Sequence, residues 1–225
     1  MIRPTRRPLL FAAVTALSLT ALSLSVVQIS RFIRFGDVIH LAARLDRGEP
    51  VVPATVSGAT VWAQGVMDDG ICQHDFIKSA LTVLLTDLDH QDQDRDYEGW
   101  ARSLDRAEGF ARFALGCAPT DGDLWLRLAM VQQAIGEQSQ EIARLITFSQ
   151  LYAPAEGNVI AGRYRLYNRL TPATLSMAAN TVAADFVILC SPTAAHLRRR
   201  LPPPSNHLAP FVVQRDADCA IGLPR

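Results

Sequence analysis

The chain has 225 residues, of which 49% are hydrophobic and 20% are charged. Its 22 basic and 22 acidic side chains give a formal net charge of zero, which argues against a generally basic surface for nucleic acid. Without its apolar N-terminus, the chain keeps roughly 190 residues, a length typical of one domain with one core.

Residues 1–34 are typical of a signal-anchor or transmembrane segment. An uncharged apolar stretch runs from Leu9 to Val27 and follows three arginines, Arg3, Arg6 and Arg7. As a helix it would reach about 28 Å, close to the ~30 Å hydrocarbon thickness of a bilayer. A cleaved signal peptide has a shorter apolar region of ~7–15 residues, although Ala21–Ser23 resembles a cleavage site. An uncleaved anchor is therefore predicted; a signal peptide and a buried soluble helix are the alternatives.

All four cysteines follow the apolar stretch, and none forms a C-x-x-C pair; they are Cys72, Cys117, Cys190 and Cys219. An even number in an exported domain predicts two disulfides, for which three pairings are possible, including one that holds the tail through Cys190 and Cys219. The alternative is four thiols in a cytoplasmic core. Since Arg31 and Arg34 follow the span, the positive-inside difference is small. We predict a bacterial inner-membrane protein with the bulk of its chain in the periplasm.

Residues 35–74 are predicted to hold an outer helix and a connector. Phe35–Pro50 has helical spacing that ends near Gly48, and it continues the membrane helix or follows it after a short break. Val51–Gln64 is β-branched and contains a proline and a glycine, which favours an extended connector with room for a short strand.

Residues 75–201 have helical periodicity almost throughout, and residues 202–225 are predicted to be a coil tail. Gly136 is a typical helix end, Ser139 is a favourable N-cap, and Thr171 precedes a proline in a first helical turn. The fold class predicted is all-α, with about six or seven helices after the membrane helix.

This domain contains two similar strings, "APTDG" at Ala118–Gly122 and "APAEG" at Ala153–Gly157. Their prolines lie 154 − 119 = 35 residues apart, and each string would end one helix and begin the next. The pattern resembles a degenerate tetratricopeptide repeat over about residues 100–170. The residues that match its signature are Trp125, Leu128, Ala129, Gly136 and Pro154, preceded by Ala107, Ala114 and Pro119 in the previous half-unit.

Two departures weaken this resemblance: the aromatic expected near Gln132 is missing, and the half from Gly136 to Pro154 has one extra residue. A plain antiparallel helix bundle is the alternative. The overall layout also resembles membrane-anchored accessory proteins of bacterial exopolysaccharide biosynthesis. That resemblance implies a non-catalytic role in polysaccharide assembly, with partners in an envelope complex and polysaccharide itself as a further candidate.

Catalytic and metal motifs are weak. Asp68–Asp75 gathers carboxylates, a thiol and an imidazole, but a polar turn before a helix explains them more simply than zinc does. Asp87–Glu98 approximates a calcium loop, yet Asp92 stands where glycine is needed. We therefore predict no enzyme, cofactor or metal. The alternatives are a chaperone-like peptide binder and an envelope hydrolase or transferase with an unrecognised site.

One stretch, Gly162–Leu170, is predicted to present a binding face. Its planar donors and aromatic rings, Arg163, Tyr164, Tyr167 and Asn168, are the groups that recognise carbohydrate or an acidic polymer. The alternative is a solvated amphipathic face whose tyrosines cover the core.

Overall fold

A computed structural model describes residues 6–213 together with residues 219 and 221. In that part of the chain all regular structure is helical, which confirms the predicted all-α class. Eleven α-helices follow one another, with a short 3-10 helix at Pro192–Ala194 before the tenth. They are α1 (Arg6–Asp46), α2 (Pro53–Asp68), α3 (His74–His90), α4 (Tyr97–Cys117), α5 (Gly122–Ile135), α6 (Ser139–Tyr152), α7 (Gly157–Tyr167), α8 (Pro172–Met177), α9 (Ala179–Leu189), α10 (Ala195–Arg198) and α11 (Ala209–Val213).

The first helix, α1, has two parts with different surroundings. Its N-terminal part carries exposed apolar side chains as far as Ile33, and among the described helices it alone is long and apolar enough to cross a membrane. Its C-terminal part is buried in the domain through Phe35, Val38 and Leu41. The helix has no break between the two parts, so the outer helix is a direct continuation of the apolar span.

The connector predicted for Val51–Gln64 is wrong, because Pro53–Asp68 forms helix α2. A proline is well tolerated in a first helical turn, where its missing N–H has no intrahelical partner. The buried residues of α2 are spaced along one face that packs against α1 and α3; they are Val56, Thr60, Ala63 and Val66. The burial of this face outweighs the local preference of β-branched residues for extended structure.

The two similar strings form turns between helices, as predicted. Ala118 ends α4 and Ala153 ends α6 in nearly the same backbone conformation, with φ/ψ of −137°/72° and −134°/61°. Asp121 then caps α5 by accepting hydrogen bonds from two backbone N–H groups, whereas the Glu156 side chain makes no such bond to α7. The two turns share a backbone path but differ in how the next helix is capped.

The tail begins without regular structure at residues 202–205 and then contains the short helix α11. Residues 214–218, 220 and 222–225 of the tail predicted to be coil lie outside the described residues. Within the described part, Cys219 and Ile221 are buried against the core.

Both predicted disulfides are present, and the structure selects one pairing of the three. Cys72, between α2 and α3, is joined to Cys117 at the end of α4, with 5.1 Å between their Cα atoms. Cys190, at the end of α9, is joined to Cys219 across 29 residues of chain. Disulfides of this kind typically add ~2–4 kcal/mol to the free energy of unfolding, and they persist in oxidising compartments.

The turn at Ala118–Gly122 depends on a close backbone approach. A Cβ atom at Gly122 would lie 2.5 Å from the Cβ of Ala153 and 2.7 Å from the backbone oxygen of Ser149. Backbone atoms cannot move aside as a flexible side chain can. The glycine therefore lets the start of α5 lie against the end of α6.

We predict that Gly122→Ala lowers the free energy of unfolding by about 1–3 kcal/mol, because the added methyl group forces these two segments apart. A matched control is Gly109→Ala within α4, where a Cβ meets no atom within 4 Å. That change should stabilise the helix by about 0.5–1 kcal/mol. Chemical unfolding of the full chain in detergent, followed by circular dichroism, measures both. Equal effects of the two substitutions would contradict the close contact.

Candidate binding cleft

The binding face predicted for Gly162–Leu170 does not reach the surface. Arg163, Tyr164 and Tyr167 each have a relative exposure of 0%. Asn168 is half-buried, and its Oδ1 accepts a hydrogen bond of 2.6 Å from the backbone N–H of Ser205. The predicted binding face is therefore wrong. Tyr164 and Tyr167 are core residues, as in the alternative interpretation, and Asn168 connects α7 to the tail.

Arg163 forms a two-pronged ion pair with Asp185 inside the domain. Its Nε and Nη2 atoms donate to the two carboxylate oxygens of Asp185, each at 2.7 Å. Nη1 also donates to Oγ of Ser149 at 3.1 Å, and the carbonyl oxygen of Ala153 accepts at 3.2 Å. Burial disfavours the charged guanidinium, but the hydrogen bonds and charge of Asp185 outweigh it and raise the pKa of Arg163.

Tyr167 completes this cluster by donating its hydroxyl hydrogen to Asp185 at 2.8 Å. Burial, reinforced by the charge of Asp185, raises the pKa of the Tyr167 phenol well above its usual value, so it remains a donor. The cluster joins α6, α7 and α9. The stretch Gly162–Leu170 was predicted to be a surface because its sequence alone shows no counter-charge for Arg163. That counter-charge is Asp185, which lies 22 residues further along the chain.

An open cleft of about 650 Å³ lies on the face formed by α3, α5 and α7. The end of α1 and helix α10 complete its walls. Its lining is mostly charged or polar, and the charged side chains are Asp46, Lys78, Asp123, Arg127, Glu156, Arg165 and Arg200. Seven charged groups thus meet around one concave space.

Part of this charge is neutralised within the cleft. Lys78 Nζ lies 3.2 Å from Asp121 and 3.4 Å from Asp123. Arg127 donates from Nε to Asp123 at 2.9 Å and from Nη1 to the hydroxyl of Thr82 at 2.9 Å. These contacts connect α3 with the start of α5, and they hold the side chains of this wall in fixed positions.

Other charges in the cleft are available to a ligand. Within the described residues, Arg165 and Arg200 are exposed and form no ion pair, and the same holds for Asp46 and Glu156. Two guanidinium groups can bind carboxylates or phosphates through paired hydrogen bonds. The arrangement therefore suits a polar, charged ligand of extended shape.

A smaller cleft of about 380 Å³ continues from the first and shares Lys78 and Glu156 with it. His74 lies here, with its Nδ1 3.7 Å from Asp121 Oδ2. Asp121 is also the N-cap of α5, so this carboxylate is occupied by structural contacts. The smaller cleft extends the length of ligand that the domain can accommodate.

The two segments considered for metal binding have structural contacts. In Asp68–Asp75, Cys72 is in a disulfide and Asp69 pairs with Arg34. In Asp87–Glu98, Asp87 is buried within α3 and accepts from Ser57 and Ser103, while Asp96 caps α4. The described residues include no group of three or more potential metal ligands.

Comparisons of the chain with protein-family models, curated proteins and solved structures found no match.

The cleft was missed because its residues come from helices far apart in the sequence. The sequence did contain one signal, the 35-residue offset between the two similar strings. By this offset Asp121 is equivalent to Glu156, and Asp123 is equivalent to Asn158. All four line the larger cleft or its extension. Equivalent polar positions just after two equivalent turns are expected to lie on one face.

We predict that Asp185→Asn lowers the free energy of unfolding by about 3–5 kcal/mol, because it leaves the Arg163 guanidinium buried without a counter-charge. The control is Glu141→Gln, which breaks an exposed pair with Arg144 and should change stability by less than about 1 kcal/mol. The double change Arg163→Met with Asp185→Leu should recover most of the loss. Urea unfolding of the full chain measures all three, and an Asp185→Asn protein as stable as the control would contradict the assignment.

Proposed function

We propose that this protein is a non-catalytic, membrane-anchored scaffold or binding protein of the bacterial inner membrane, with its helical domain in the periplasm. We further propose that it is accessory to exopolysaccharide synthesis or export. The observation that carries the proposal is the open charged cleft in a domain that α1 joins directly to an apolar span.

The compartment is supported by the two disulfides, which are compatible with an oxidising environment and follow the span in sequence. Retention of the span is supported by the continuity of α1. The helix passes through Ala21–Ser23 without interruption and enters the core only a few turns later. Removal of the segment would leave exposed apolar residues such as Ile29 and Phe32 at the new N-terminus.

The ligand chemistry is supported by the exposed guanidinium groups of Arg165 and Arg200 in the cleft. Many envelope polysaccharides carry carboxylates or other acidic groups, and guanidinium groups bind these through charge-assisted hydrogen bonds. The apolar lining residue Leu197 would contact a less polar face of a sugar chain. The protein would act as a scaffold if the same cleft binds an acidic segment of another protein in the polysaccharide-assembly complex.

We predict that deletion of the gene lowers secreted polymer, and that a copy with Arg165→Glu and Arg200→Glu restores less than roughly a tenth of it. Each reversed charge removes a charge-assisted contact of about 1.5–3 kcal/mol and adds repulsion. Secreted polysaccharide is measured by total sugar after equal growth, and the membrane level of each variant is measured by immunoblot.

The matched control reverses two exposed arginines outside the cleft, Arg95→Glu and Arg102→Glu, and changes the net charge equally. This control should restore secretion. Full restoration of secreted polymer by the cleft variant would show that the cleft is not needed for the function. A deletion strain with normal polymer would overturn the polysaccharide role.

A further inference from the structure

A separate cavity, of about 450 Å³, lies at the base of the domain where α1 leaves its apolar part. Its lower wall is formed by Val26 and Val27, and its upper wall includes Ile71 in the turn between α2 and α3. Arg31, Arg34 and Asp69 also line it. The cavity is thus apolar at its lower end, whereas charged and apolar groups share its upper end.

The position of this cavity along α1 matches a membrane surface. The apolar stretch ends at Val27, and Arg31 lies four residues further on, or ~6 Å at the helical rise of ~1.5 Å per residue. The headgroup layer on each side of the ~30 Å hydrocarbon core is about 5–8 Å deep. Arg31 therefore falls at the depth of lipid phosphates when Leu9–Val27 spans the bilayer.

The charge of the cavity favours an anion. Arg34 is paired with Asp69, and its guanidinium lies 4.9 Å from the centre of the Phe35 ring. Arg31 is exposed and has no carboxylate partner among the described residues. The three charged groups together carry one net positive charge, and Arg31 is the group free to bind.

The domain holds this cavity in place. Gln28, the first residue after the apolar stretch, donates from Nε2 to Oε1 of Gln73 at 2.8 Å. Phe32 packs against Phe76 of α3, with 5.2 Å between ring centres. The turn that carries Asp69 and Ile71 is therefore fixed beside α1, and the cavity does not depend on a mobile loop.

We propose that this cavity binds the phosphate-bearing headgroup of a membrane lipid. Arg31 contacts the phosphate, the Arg34–Asp69 pair borders the headgroup, and the hydrocarbon chain lies along Val26 and Val27. The proposal rests on the membrane anchorage proposed above. It identifies a lipid anion, in addition to the ligand of the cleft, as a partner of this protein.

The test is native mass spectrometry of the full chain released from nanodiscs that contain equal amounts of phosphatidylglycerol and phosphatidylcholine. We expect one phosphatidylglycerol to be retained in preference to phosphatidylcholine. Arg31→Gln should lower that preference about fivefold, the equivalent of ~1 kcal/mol for one basic residue at the surface. Arg102→Gln, an exposed change on α4, should leave it unchanged.

A second variant, Asp69→Asn, removes the carboxylate and releases Arg34, so it should increase retention of the anionic lipid. An unchanged preference in both Arg31→Gln and Asp69→Asn would overturn the site. So would tight binding of inorganic phosphate to the chain in nanodiscs of phosphatidylcholine alone, without selective retention of the anionic lipid, since that outcome assigns the cavity to free phosphate.

Flotation of the chain with vesicles of phosphatidylcholine alone, after an alkaline wash, separates this inference from the anchorage. A chain that floats without retaining anionic lipid selectively overturns only the lipid site. A chain that does not float overturns the proposed anchorage as well.

Discussion

The organisation of this protein depends on one uninterrupted helix that is apolar and exposed at one end and part of a hydrophobic core at the other. Phe35, Val38 and Leu41 of α1 are buried among α2 and α3, only a few turns after the exposed Val27. Because a helix rises by a fixed ~1.5 Å per residue, the height of the domain above the apolar span is set by the sequence of α1. The proposed anchor therefore positions the domain and does not merely tether it.

The rest of the domain packs around a hydrophobic core, and two buried polar clusters each join three helices. The Asp185 carboxylate accepts hydrogen bonds from Arg163 and Tyr167. The Asp87 carboxylate accepts hydrogen bonds from Ser57 and Ser103, which lie on two other helices. Such buried groups disfavour arrangements that separate them, because a buried charge would then lose its partners. Two disulfides add covalent constraints at the two ends of the domain. These contacts and disulfides stabilise a small helical domain that has an open cleft on its surface.

The sequence allowed accurate prediction of features with local causes. The turns at Ala118–Gly122 and Ala153–Gly157 follow from proline and glycine after an apolar periodicity, and the apolar span follows from composition. Features with distant causes were missed. Val51–Gln64 becomes helical because its spaced apolar side chains pack on α1 and α3, which no local propensity reveals. The face around Arg163 was mistaken for a surface because its counter-charge lies on another helix. The tetratricopeptide resemblance stays a prediction.

The central claim is that an uncleaved apolar span is joined to a disulfide-linked domain on the oxidising side of a membrane. The most direct test is the intact mass of the unreduced protein, extracted from alkaline-washed membranes with free thiols blocked by alkylation. The account predicts a chain that retains residues 9–27, carries no alkyl group and lacks four hydrogens, two for each disulfide. A chain that begins near residue 24, or one with four alkylated cysteines, would contradict it.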